Sequence, residues 1–157
     1  MKKNFLVLAI VLAGFFTAQA QVNPHAIGLR FGGGTAFGGE LSYQMGMGSS
    51  NRLELDLGWS GGKDYSYLNL AAIYHWNWNI TEGLNWYVGP GANVGLYSHK
   101  YDDNGLMIGV GGQIGLEYDF NAHDAPILLS IDTRPMFNLN RGNGLWWGAA
   151  LGIRYTF

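Results

Sequence analysis

The chain has 157 residues, a formal net charge of −2, 13% charged and 15% aromatic residues, 25 glycines and no cysteine. The lack of cysteine excludes disulfide frameworks and thiolate metal sites, and no basic tract is present that would bind nucleic acid. So few charges beside so many rings and glycines depart from the surface chemistry of a soluble domain.

The first element is a secretory signal, expected over 1–20. Lys2 and Lys3 give a basic start, Phe5 to Phe16 an unbroken apolar stretch, and Ala18-Gln19-Ala20 the small-x-small pattern of a cleavage site. The stretch is too short for a bilayer-spanning helix, which needs about 20 residues. With no cysteine behind it, lipoprotein attachment is excluded. The mature chain is expected to begin at Gln21 and to form one domain, 21–157. No later apolar run reaches a helical span. In lipid only helices and closed barrels satisfy every backbone group, so a barrel is the form left.

Turn-rich clusters then cut the chain into eight segments, expected as strands over 25–33, 39–47, 52–60, 65–78, 84–97, 106–120, 126–137 and 145–157. The dominant period along them is two. Leu41, Tyr43, Met45 and Met47 alternate with Glu40, Ser42, Gln44 and Gly46. Leu53, Leu55, Leu57 and Trp59 alternate with Arg52, Glu54, Asp56 and Gly58. Ile108, Val110, Gly112, Ile114, Leu116, Tyr118 and Phe120 alternate with glycines, Gln113, Glu117 and Asp119. Leu145, Trp147, Ala149, Leu151, Ile153, Tyr155 and Phe157 alternate with Trp146, Gly148, Ala150, Gly152, Arg154 and Thr156. In a strand such sets fall on opposite faces. Most segments reach the ~9–11 residues of a tilted membrane strand. Pro90 and Pro135 lie inside two of them, where proline removes a ladder donor and marks a bulge or the end of pairing.

Alternation fits a soluble barrel with its apolar face inside and a membrane barrel with that face outside. The polar face decides. Its small residues and charges of both signs suit a narrow interior, because a soluble surface would carry more lysine and less glycine. The aromatics form two belts, as at lipid–water interfaces: Trp76, Trp78, Trp86, Tyr118, Phe120 and Tyr155 at one set of strand ends, Trp59, Phe137 and Trp147 at the other. Gly112, among the apolar set, is expected to accept serine.

The last strand carries an independent signal. Leu151, Ile153, Tyr155 and the terminal Phe157 resemble the C-terminal insertion signature of bacterial outer-membrane barrels. The passages Gly115-Leu116-Glu117-Tyr118-Asp119-Phe120 and Leu128–Phe137 are also similar to ones common in small outer-membrane proteins. The resemblance implies an all-β, eight-stranded antiparallel up-and-down transmembrane barrel of the OmpA/OmpX-like, small porin-like class. It implies export through the Sec pathway to the outer membrane of a Gram-negative bacterium. The partners it implies are outer-membrane lipids and, during biogenesis, periplasmic chaperones and the barrel-insertion machinery. A monomer is expected. Both termini should face the periplasm.

The residues that could carry chemistry are the charges of the polar face. Arg30, Arg134 and Arg154 face Glu40, Glu54, Asp56, Glu117, Asp119 and Asp132, with His75 on the same parity. An eight-stranded barrel is just wide enough for side chains to fill, and buried charges must pair. The leading reading is a salt-bridged plug; the second is a polar path along the same charges. Catalysis needs a nucleophile beside a base. Lipid A deacylases pair His with Ser two residues on, and no His-x-Ser occurs here. Asp102-Asp103-Asn104-Gly105 lacks the spacing of a calcium loop. No catalytic residue, metal ligand or cofactor is assigned. The function expected is a non-enzymatic structural or small-ligand-binding role in the envelope. A narrow porin-like passage and a lipid-modifying enzyme are the alternatives.

Overall fold

The computed structural model describes residues 21–32, 38–61, 65–99, 102–140 and 144–157. The expected signal peptide and parts of four predicted connections lie outside the described residues. The strands are β1 (His25–Gly32), β2 (Gly38–Gly46), β3 (Asn51–Gly61), β4 (Tyr65–Thr81), β5 (Leu84–His99), β6 (Asp102–Asp119), β7 (Ile127–Thr133), β8 (Met136–Asn138), β9 (Leu145–Trp146) and β10 (Ala149–Thr156).

Each strand runs antiparallel to its neighbours. Pairing passes from β1 through β6 in chain order, then to β7, to β10 and back to β1. The sheet therefore closes into an eight-walled barrel, so that no wall is left as an open edge of the sheet.

Two of the eight predicted strands are each broken in two. β7 and β8 form one wall interrupted at Arg134-Pro135. Pro135 has no N–H to donate, but its carbonyl still accepts from Gly112 N at 3.1 Å. β9 and β10 form the adjacent wall, interrupted at Trp147-Gly148. Across the two breaks, Gly148 O accepts from Arg134 N at 3.2 Å and from Thr133 Oγ1 at 2.8 Å. The strand predicted to run unbroken over 145–157 loses its alternation here. Leu145, Trp146 and Trp147 are 63%, 52% and 72% exposed, so consecutive residues all face out. Pro90, by contrast, is held within β5 opposite Gly112.

Three strands outrun their apolar pattern. β4 continues through Thr81 to a two-residue turn, where Gly83 takes a positive φ of 74°. β5 reaches His99, and β6 begins at Asp102 rather than Leu106. At the first of these extensions Asn79 Nδ2 donates to Thr81 O at 2.8 Å and to Asn85 Oδ1 at 2.9 Å. Polar side chains there end the hydrophobic signal without ending the backbone ladder. Phe120 corrects in the other direction. It opens a 3-10 turn (Phe120–His123) in which Asp119 caps Asn121 N at 2.9 Å and Asp124 is left-handed at φ 61°. The walls are consequently unequal: β4, β5 and β6 have 17, 16 and 18 residues, against 8 and 9 in β1 and β2.

The two faces divide as expected. Leu29, Leu41, Leu57, Leu70, Ile108, Ile114, Ile131 and Ile153 point outward and are exposed, whereas Arg30, Glu40, Glu54, Asp56, Gln113 and Arg154 are buried. This is a soluble protein turned inside out, and an apolar belt of this extent needs a hydrocarbon surround.

Candidate functional site

The lumen is where the polar chemistry collects, and each wall delivers its part through the period of two. β1 contributes Arg30, β2 Glu40, Ser42 and Gln44, and β3 Arg52, Glu54 and Asp56. β6 contributes Gln113 and Glu117, the β7–β8 wall Ser130, Asp132 and Arg134, and β10 Arg154. All are buried.

Glu54 is the hub. Its Oε1 accepts from Arg134 Nη2 at 3.2 Å and Gln113 Nε2 at 3.1 Å, and its Oε2 from Arg154 Nη2 at 3.0 Å and from Gln44 Nε2. Arg134 also reaches Asp56, contacts Glu40 at 3.4 Å, and donates its Nε to Gln113 Oε1 at 2.9 Å. Arg30 joins the cluster through Glu40 at 2.6 Å and through a bidentate contact with Asp132. Arg154 completes its shell with Ser42 Oγ at 2.9 Å and Ser130 Oγ at 2.8 Å. Side chains from six of the eight walls thus meet in one network, and every predicted arginine and carboxylate of the charge set except Glu117 and Asp119 belongs to it.

Glu117 pairs elsewhere, with a residue absent from the predicted arginines. Arg52 is buried and lies 2.6 Å from Glu117. Its Nε donates to His75 Nδ1 at 3.2 Å, and its guanidinium sits 4.7 Å from the centre of the Tyr87 ring. The signal for Arg52 was available, since it shares parity with Glu54 and Asp56. Asp119 departs from expectation too. It sits half-buried beside the 3-10 turn and accepts from Asn23 Nδ2 at 2.8 Å. Among the described residues the lumen therefore buries four guanidinium groups and five carboxylates.

The interior is also less uniformly small than the pattern implied. Tyr67, Ile73, Tyr87, Leu128 and Met136 face inward and are buried. Tyr87 OH donates to Asp132 Oδ2 at 3.2 Å, which ties the Arg52 cluster to the hub. Glycines make room for the two rings. A Cβ on Gly95 would stand 2.6 Å from the Tyr67 ring, and one on Gly115 would stand 2.6 Å from Tyr87.

The aromatic set lies on the outer face. Trp76, Trp78, Trp86, Tyr118, Phe120 and Tyr155 share the end of the barrel that carries the termini, while Trp59 and Trp147 occupy the opposite end. Trp78 and Trp86 stack at 4.4 Å and Tyr118 meets Phe120 edge-on at 4.7 Å. Trp147 Nε1 donates to Thr133 Oγ1. In the last strand Leu151, Ile153 and Tyr155 face outward between β1 and β7. Phe157 follows them, with its N–H donating to His25 O at 2.9 Å and its ring stacked on His25 at 5.5 Å. Gly112 is not the open position expected. A Cβ there would lie 2.8 Å from Gly89 O, so serine requires β5 and β6 to shift.

No family model matches the sequence, and no curated protein does. Solved structures do match. Neisserial surface protein A (NspA) superposes with a TM-score of 0.60 at 14% identity, over 85% of this chain and 96% of that one. Ail, the attachment invasion locus protein of Yersinia pestis, gives 0.56 at 12% identity, over 88% and 100%. The N-terminal β-barrel domain of Pseudomonas aeruginosa OprF gives 0.56 at 21%, over 87% and 100%. At these identities the likeness is one of fold: the chain has the architecture of the small eight-stranded outer-membrane β-barrels.

Proposed function

We propose that this chain is a non-enzymatic structural barrel of the outer membrane of a Gram-negative bacterium, sealed to ions by its own side chains. The observation that carries the reading is the Glu54 hub, where Arg134, Arg154, Gln44 and Gln113 converge from four walls on one carboxylate. A lumen this narrow is filled by such a cluster, and every ion crossing it would have to break paired buried charges. The outward apolar face supports membrane placement, and the two aromatic groups fit belts at its interfaces. Leu151, Ile153, Tyr155 and Phe157 fit an insertion signal that ends up in the closing seam. Three histidines have structural partners: His25 bonds Tyr43, His75 accepts from Arg52 and His123 bonds Tyr118.

A narrow passage for ions or small solutes is the second reading. It is favoured by buried lumen atoms without a protein hydrogen-bond partner, among them Glu40 Oε1, Asp56 Oδ1 and His75 Nε2, as groups along a hydrated path would be. Planar-bilayer recording separates the two. The purified barrel is expected to be silent. Discrete conductance steps that change in Arg134→Ala would overturn the sealed reading in favour of the passage.

A further inference from the structure

On the outer face, at the end away from the termini, the walls β3 to β6 carry a groove of about 730 Å³. Its chemistry is ordered in rows by the strand register. Trp59 pairs with Leu68, Leu68 with Leu96, and Leu96 with Leu106, so four large apolar side chains lie side by side across four walls. All four are exposed. Two residues nearer the strand tips, Gly61 pairs with Ser66 and Ser66 with Ser98. These residues are small, and that change of size above the apolar row opens the groove. The lining thus passes from hydrocarbon to hydroxyl within two residues along β4 and β5, from Leu68 to Ser66 and from Leu96 to Ser98. In register the row continues from Trp59 to Gly39 of β2 and Phe31 of β1.

We infer that this groove holds one acyl chain of a lipid of the surrounding leaflet, laid against Trp59, Leu68, Leu96 and Leu106, with an uncharged hydroxyl- or ester-bearing neck at Ser66 and Ser98. The apolar row is continuous with the outward apolar band through Leu70 and Val94 of β4 and β5. A chain from the bilayer therefore reaches the groove without crossing polar surface. The serines supply donors where a lipid turns from hydrocarbon to ester or sugar. The lining residues carry no charge, which fits a neutral neck better than a phosphate. The inference rests on the membrane placement proposed above and not on the sealed lumen.

Native mass spectrometry of the full chain, released from dodecyl maltoside micelles after incubation with monopalmitoylglycerol, tests this directly. One adduct per barrel is expected, saturating as the lipid is raised. Hexadecyltrimethylammonium, which has the chain without the hydroxyls, should bind at least tenfold more weakly. Filling the groove with Ser98→Phe or Ser66→Leu should cut the adduct at least tenfold, and Leu96→Ser should weaken it without filling space. Ile153→Phe, on the same outward face but away from the groove, should leave it unchanged. Heat-modifiable gel mobility confirms that each variant has closed its barrel. Adducts that never saturate, that persist in both filled variants, or that are missing from the unmodified chain would overturn the inference. So would a dimer mass that competes with the lipid, which would make a second copy the occupant. None of these outcomes alters the bilayer recording, so failure of the groove and failure of the sealed lumen remain distinct.

Discussion

The two faces of this one sheet are held by different physics. On the inner face, residues far apart in the chain meet directly: Arg154 with Glu54, Arg134 with Asp56, Arg30 with Asp132. Each depends on its partners, because a charge out of water is tolerable only while paired. On the outer face, cross-strand neighbours such as Leu29, Leu41 and Ile153 touch along the ladder, but their far sides are exposed. The outer face therefore needs only to be apolar, whereas the inner face must be complementary. Substitution should accordingly be tolerated outside by hydrophobicity and inside by almost nothing.

Removing the hub should break that asymmetry most severely. Glu54→Ala leaves Arg134 and Arg154 short of a carboxylate and is expected to cost about 3–5 kcal/mol in reversible urea unfolding from lipid vesicles. A cost near zero would mean that the network does not hold the lumen. On the other face, Ile114→Arg places a charge in the apolar belt and should cost about 2–4 kcal/mol if the residue lies near the bilayer midplane. An unchanged unfolding midpoint there would place the belt outside lipid. Tyr87→Phe deletes only the hydroxyl that donates to Asp132. A hydrogen bond to a charged group is worth about 1.5–3 kcal/mol, and the same titration should resolve it. Ile153→Val, on the lipid side, should move stability by less than about 0.5 kcal/mol, like other substitutions that open no cavity. If it costs as much as Tyr87→Phe, the outer face is packed against something more specific than fluid chains.

The strands and the direction of their faces were legible because a strand alternates strictly and one sheet face here meets lipid. Leu53, Leu55 and Leu57 against Arg52, Glu54 and Asp56 admit only one pleat. Arg52 shares that inward parity, but parity alone does not say which charges pair; Tyr67 and Tyr87 also face inward, although most aromatic residues here lie on the lipid side. The breaks at Pro135 and Gly148 were half legible. Proline announces the first, but the second answers it from the neighbouring wall, and only pairing between β7 and β10 brings the two together. The extensions of β4 to β6 were hidden, since Asn79, Ser98 and Asp102 end the apolar pattern while the ladder continues.

By itself, then, the sequence determined a membrane-facing β chain with an apolar and a polar side, because composition and period act on every residue locally. Which charges meet is a different kind of fact. Glu54 and Arg154 are one hundred positions apart, and Glu117 pairs with Arg52 instead of joining the hub. Closure and register decide those distances, since only the closed sheet sets the height and azimuth at which each inward side chain enters the lumen. The row from Trp59 to Leu106 has the same origin: four unremarkable apolar residues on four strands become one groove wall only when the register aligns them.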